Sequence, residues 1–422
     1  MSVKSIQINS SLRKALLVFG LFIFLFFTFL SICWFLGNSV ARGATQLELA
    51  RFAVDLAPSD PRTHFSAASF YERTFLPEDL PKSLAEYENS VALSPNDYLL
   101  WLAYARAKSQ NGDSAGAVKA LEKAYQLAPH YASVRWAYGN ALVRQGNNSE
   151  GFELIRKAVE QDSKYAAPAA ATAWGTFQGD IEQIKKAIGD STRVQAALAD
   201  FVAGQERYDE ALQLWNTLPE NERRTNFKKE SENLYRQFVT AGKYRAAASV
   251  LSQTFTEKRK TIAVGKVTNG GFELDIELEK PNLFEWKLAN GKQPVIGISN
   301  DQKYAGDRSL ALVFNSPIGR DFRTISQVVA VESQKEYTLE VFCKSALETN
   351  ATVKWEIADQ KDKRVIASTD AVRANSDWTN LKTKFTTGSE TEAVIVRLVR
   401  ETCTTTNCSI RGKIWFDGIS LK

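Results

Sequence analysis

The spacing of apolar residues divides the chain into three stretches. From Ala15 to Leu36 there are 22 residues without a charge. As a helix this run spans ~33 Å, enough to cross a hydrocarbon core of ~30 Å. The following stretch, to about residue 260, is Ala-rich and helical in rhythm. After Lys266 the period becomes two. SLALVF, ISQVVAV, EYTLEVF, ATVKWEIA, LKTKFTT, AVIVRLV and KIWFDGISL are 6–9 residues each, rich in Val, Ile, Thr and aromatics, and separated by Gly, Asn, Asp and Ser. Seven or eight short strands in ~155 residues predict a β-sandwich or jelly roll. The expected order is a tail over 1–14, a transmembrane helix over 15–37, an α-solenoid over 45–260 and a sandwich over 266–422. The fold class is multidomain, α then β.

The helical stretch carries a fixed period. Pro95, Pro129 and Ser163 lie 34 residues apart in turn, as do Gly112 and Gly146. In the unit from Tyr98 to Pro129, Trp101, Ala105, Ala117, Leu121, Ala124 and Pro129 occupy large and small positions in a set order. The next unit repeats part of it with Gly139, Gly151, Ile155 and Ala158. This pattern resembles the tetratricopeptide repeat, a 34-residue helix–turn–helix. The resemblance implies a non-catalytic solenoid that holds a protein partner in a concave groove. By the family's geometry, Arg106, Trp136, Asn140 and Arg144 should face that groove.

The sandwich stretch opens with NGGFE at 269–273. It continues with Phe284 and Trp286, YAGDRSLALVF at 304–314, DWTNLKTKF at 377–385 and GKIWFDGISL at 412–421. In this order the motifs resemble family 4 and 9 carbohydrate-binding modules, of the galactose-binding-like jelly-roll type. The resemblance implies that Glu273 and Asp417 meet around a structural Ca²⁺, since carboxylates and carbonyls suit a hard cation. The Gly-Gly pair would let the chain turn where other residues strain, sending Phe272 into the core. Sugar-binding members stack sugars on exposed aromatics. Alternation puts Trp355 with Val353 and Ile357, facing inward, and Trp378 resembles a packing position. Trp415 shares its face with Arg411, Lys413 and Asp417, and Trp286 lies in a loop-like stretch. With Arg397, Trp286 and Trp415 are the carbohydrate-binding candidates.

Charge and cysteines bear on location. The net charge is +5, but Lys4, Arg13, Lys14 and Arg42 supply +4 within residues 1–47, which hold no acid. The remaining near-neutral chain lacks the basic stripe of a nucleic-acid-binding domain. Basic residues ahead of the apolar run place the N-terminus in the cytoplasm and the bulk outside it, in a periplasm or exterior. Ser39-Val40-Ala41 could serve as a cleavage site, so a cleaved signal is the other reading of the run. Cys403 and Cys408 flank a Thr-rich turn between two strand-like runs. A disulfide is expected there, with a zinc pair as the rival.

Only two histidines occur, His64 and His130, and no nucleophile–base pair or phosphate-cradling loop is evident. The expectation is a membrane-anchored, non-catalytic scaffold. Its repeats would bind a protein partner and its sandwich a glycan or a second protein, in envelope polysaccharide assembly or export. The alternative is a glycan-processing enzyme with the sandwich as accessory module.

Overall fold

The structure is a computed structural model and describes residues 10–254, 262–317, 322–401 and 408–422. Helices fill the first part of the chain, and two antiparallel sheets packed as a β-sandwich fill the second. Two compact units divide between Asp190 and Ser191, within the helical stretch.

The first unit holds α1 (Ser11–Gly43), α2 (Leu47–Leu56), α3 (Pro61–Thr74), α4 (Leu80–Leu93) and α5 (Tyr98–Gln110). It continues with α6 (Ser114–Leu127), α7 (Ala132–Arg144), α8 (Asn148–Gln161), α9 (Ala166–Phe177) and α10 (Ile181–Ile188). Helix α1 is long and apolar enough to cross a membrane. From α3 onward the helices pack as hairpins. Aspartates start several of them: Asp60, Asp97, Asp113 and Asp180 each accept backbone N–H bonds from the first turn. The turn of α5–α6 uses Gly112 at φ +83°, and that of α7–α8 uses Gly146 at φ +86°. Those left-handed positions favour glycine and explain one mark of the period.

The small residues of the pattern mark close crossings. A Cβ on Gly139 would lie 2.7 Å from the Gly151 carbonyl oxygen, and one on Gly151 would lie 2.8 Å from that of Gly139. The period also recurs in polar contacts. Trp101 Nε1 donates to the Pro95 carbonyl at 2.8 Å, and one repeat later Arg135 Nε donates to that of Pro129 at 2.7 Å.

His64 in α3 is buried, with Nδ1 2.6 Å from Glu86 Oε2 and Nε2 2.8 Å from the Pro58 carbonyl. Both partners accept, so the ring holds both contacts as hydrogen bonds only when doubly protonated. The Glu86 hydrogen bond chiefly raises its pKa, against burial, with help from Pro58 and the charge of Asp60. A raised folded-state pKa gives stability that is complete below the unfolded value of about 6.5 and lost as pH rises through the folded value. The melting temperature of the first unit should therefore fall as pH rises above about 6.5. His64→Gln should flatten that slope in calorimetry across pH 5–9.

The second unit begins with α11 (Thr192–Gly204), α12 (Tyr208–Thr217), α13 (Glu220–Thr225), α14 (Lys228–Thr240) and α15 (Tyr244–Thr254). Its strands are β1 (Lys287–Leu288), β2 (Val295–Ser299), β3 (Ser309–Ser316), β4 (Ile325–Ala330) and β5 (Glu336–Leu347). They continue with β6 (Val353–Asp359), β7 (Val365–Ser368), β8 (Asn375–Thr386), β9 (Ala393–Arg400) and β10 (Ile410–Leu421). One sheet runs β1-β4-β9-β6-β7 and the other β2-β3-β10-β5-β8. Between them lie Leu312, Val341, Trp355, Val396, Ile414 and Phe416, all fully buried. Cys343 is a buried free thiol. The last helical hairpin is tied to the sandwich: Arg245 Nη2 bonds Glu392 Oε1 at 2.6 Å, and Leu283 N donates to the Tyr235 hydroxyl at 3.0 Å.

The NGGFE opening works differently from the expectation. The left-handed residues are Asn269 (φ 50°) and Phe272 (φ 55°), not the glycines. Asn269 holds its own turn through bonds to Leu274 N and O. Gly270 instead allows contact: a Cβ there would lie 1.9 Å from the Ile419 carbonyl oxygen. Phe272 is fully buried.

Candidate functional site

The candidate residues divide between the two units. In the first unit, α5, α6 and α7, with Phe65 of α3 and Thr172 of α9, line a concave cavity of about 840 Å³. Arg106, Trp136, Asn140 and Arg144 all sit on its wall. They occupy successive turns on one face of α5 and α7, and each has a distinct surrounding.

Arg106 reaches back one repeat to Glu72. Its Nε lies 2.5 Å from Oε1 and its Nη2 2.7 Å from Oε2. Tyr87 and Gln110 donate to the same carboxylate at 2.9 and 3.0 Å. Burial raises the Glu72 pKa, but these bonds and the guanidinium charge outweigh it and hold the group below its usual value. Burial also pushes the Tyr87 phenol up to about 12, keeping its proton available for Glu72. Asn140 Oδ1 accepts from Thr172 Oγ1 at 3.1 Å, again across neighbouring repeats. Trp136 stacks on Tyr165 with centroids 5.2 Å apart. Arg144 is exposed. Arg106 and Arg144 are the charged residues of a wall that is otherwise apolar or neutral, with no acid lining it.

In the second unit the three carbohydrate candidates do not form one site. Trp286 is in the core, 2% exposed. It stacks on Phe272, meets Trp355 edge-on, and donates from Nε1 to the Asn269 carbonyl at 3.1 Å. The expectation of a surface ring is thereby corrected: the ring belongs to the hydrophobic core of the sandwich, packed with Phe272 and Trp355. Arg397 lies on the outer face of the β1-β4-β9-β6-β7 sheet, where Glu356 opposite it on β6 accepts from Nε at 3.2 Å and Nη2 at 3.0 Å. Trp415 lies half-buried on the outer face of the other sheet, beside Lys344 and Ala311.

That second face carries rings not anticipated as a site. Tyr304 stacks on Phe342 at 3.7 Å and 11°, and Trp378 is 5.9 Å from Tyr304. Tyr304 is 48% exposed. Phe342 pairs with Asp417, two residues along β10 from Trp415. The YAGDR motif was the signal for Tyr304, but an exposed ring in a turn leaves no periodicity.

Glu273 and Asp417 hold the Tyr304 loop. Asp417, 1% exposed, accepts from Tyr304 N at 2.8 Å and Ala305 N at 3.0 Å through Oδ2, and from Gly418 N through Oδ1 at 2.6 Å. Glu273 accepts from Asp307 N at 3.0 Å and Arg308 N at 3.4 Å. Calcium takes 6–8 oxygen ligands. Among the described residues no group of three or more His, Cys, Asp or Glu side chains could hold a metal. The carboxylates are supplied with backbone N–H donors from the turn at 304–308, so the set acts as an amide clasp. Cys403 lies outside the described residues, and with it the expected Cys403–Cys408 pairing.

The tetratricopeptide repeat family matches residues 109–174, which include the α7 wall of the cavity. No curated protein matches the chain. Among solved structures, MamA residues 41 to the end from Desulfovibrio magneticus RS-1 is 16% identical, over 38% of this chain and 93% of that one, with a TM-score of 0.31. The carbohydrate-binding module CBM4 is 16% identical, over 37% of this chain and 98% of that one, with a TM-score of 0.28. TmCBM61, solved with β-1,4-galactotriose, is 14% identical, over 36% and 94%, with a TM-score of 0.27. The architecture stated above rests on the elements themselves.

Proposed function

We infer that the protein is a membrane-anchored, non-catalytic scaffold. The α1 helix anchors it with the N-terminus in the cytoplasm, and the units lie outside, in a periplasm or exterior. The repeats hold a protein partner in the concave cavity, and the sandwich presents a face to a glycan or a second protein. Assembly or export of envelope polysaccharide is the setting in which such a combination is useful. The observation that carries the reading is the cavity: about 840 Å³, largely apolar, with Arg106 and Arg144 on its wall and no acid lining it. Its occupant would be an apolar-faced segment bearing a carboxylate to meet Arg144. The match of residues 109–174 to a repeat family of the scaffolding kind supports this.

On the sandwich, Tyr304, Trp378 and Trp415 are the rings to which a sugar face could apply itself. A glycan array probed with the full chain in detergent tests this half. Binding that falls at least tenfold in Tyr304→Ala and Trp415→Ala is expected. Binding to no glycan would assign that face to a second protein. The Cys403–Cys408 disulfide remains part of the proposal and suits an oxidising compartment.

A further inference from the structure

Helix α1 has two environments along one unbroken length. It runs 33 residues, about 50 Å, whereas a hydrocarbon core takes only about 20 residues. Its large hydrophobic residues from Leu12 to Leu36 are exposed; Phe35 is 67% and Leu36 45% accessible. The next two residues, Gly37 and Asn38, are buried. They are buried against the first repeat. A Cβ on Gly37 would lie 2.6 Å from Ala57 Cβ and 3.0 Å from the Ala53 carbonyl oxygen, so α1 and α2 cross as closely as backbones allow. Asn38 Nδ2 donates to Asp60 Oδ2 at 2.6 Å. Asp60 is 2% exposed, and its other oxygen caps α3 through Arg62 N at 2.9 Å. Ser66 in α3 donates to the Ala41 carbonyl at 3.1 Å.

We propose that residues 37–43 are the first helix of the repeat array, so that the apolar segment is a retained anchor, joined to the array without a hinge, whose residues 15–36 face lipid acyl chains. The lipid-facing part rests on the membrane reading above. Cleavage after Ala41 would remove Gly37 and Asn38. Asp60 Oδ2 would lose its partner in a buried site, and Ala53 and Ala57 would lose their cover. A buried acceptor without a donor is costly. The packed first repeat therefore requires the helix that a signal peptidase would discard. An uninterrupted helix also holds the cavity-bearing repeats at a set distance from the bilayer surface.

The test uses the full chain, made in a membrane-bearing host and purified in detergent. Intact mass should show residues 37–43 retained. Gly37→Leu and Asn38→Leu should lower the first melting transition by about 5 °C or more. Gly20→Leu should not, because nothing lies within 4 Å of a Cβ there. Gly37→Ala serves if the larger variant fails to fold. A mature chain beginning at Arg42 with an unchanged melt would overturn the proposal, as would wild-type melting of both Gly37 variants. Resistance to alkaline extraction reads the membrane separately. An uncut, stable chain that extracts as soluble would sink only the lipid-facing part and leave the helix in the array.

Discussion

Replacing Gly270 with alanine should destabilise the second unit by about 4 kcal/mol, whereas the same change at Gly271 should be close to neutral. The new Cβ at 270 would meet the Ile419 carbonyl oxygen at 1.9 Å and its carbon at 3.0 Å. Both are backbone atoms of the last strand, so no side-chain rotation relieves the clash. The strand must move, and the bond from Ile419 N to the Gly270 carbonyl, at 2.9 Å, stretches with it. Displacing β10 also disturbs Asp417, and through it the turn that presents Tyr304. At 271 the nearest atoms are Asp417 Oδ1 at 3.7 Å and Glu273 Cγ at 3.8 Å, ordinary contact distances. For a unit of this size the expected drop at 270 is about 8–16 °C. Calorimetry of the full-length variants reads it directly. Equal melting of the two would contradict the close-approach role. Repeating the wild-type melt with calcium and with chelator should give one value, as an amide clasp requires.

The helical fold was legible because its marks recur in the chain itself. Pro95 and Pro129 sit at junctions, Gly112 and Gly146 need left-handed turns, and Gly139 and Gly151 need a close crossing. The sheets were legible from alternation, which also put Trp355 inside correctly. Short strands such as Lys287–Leu288 and Val365–Ser368 carry too few residues to alternate, which is why seven or eight strands were expected and ten are observed among the described residues. Trp286 was misread because its stretch has no period. Its burial is decided by Phe272 and Trp355, 14 positions before it and 69 after it in the chain. Glu273 and Asp417, 144 residues apart, both reach the turn at 304–308, and only the resemblance singled out those two acids together. What they hold, the amides of one turn, could be seen only in three dimensions. Tyr304 was missed for the same reason.

The second large effect is expected at the cavity. Trp136→Ala combined with Arg144→Glu should weaken partner binding about 100-fold or more, equivalent to about 3 kcal/mol. Trp136 offers the largest ring on the wall, and truncating such an anchor at the centre of an interface costs about 2 kcal/mol or more. Reversing Arg144 places an acid opposite the carboxylate that the cavity is proposed to receive. The fold should tolerate both changes. Arg144 is exposed, and Trp136 is partly buried, with its ring contact on Tyr165. Melting of the first unit should stay within about 3 °C of wild type, separating lost binding from lost structure.

The most direct measurement of the scaffold reading is site-specific photocrosslinking of the full chain in native membranes. A photoreactive residue at Ser133, on the cavity wall, is compared with one at Glu122, which is exposed and outside the cavity. The expected result is one discrete protein adduct from Ser133, absent from Glu122, and lost when Trp136→Ala and Arg144→Glu are introduced together. Adducts of equal yield from both positions, or an adduct from Ser133 that survives the double substitution, would contradict the claim that this cavity holds the partner.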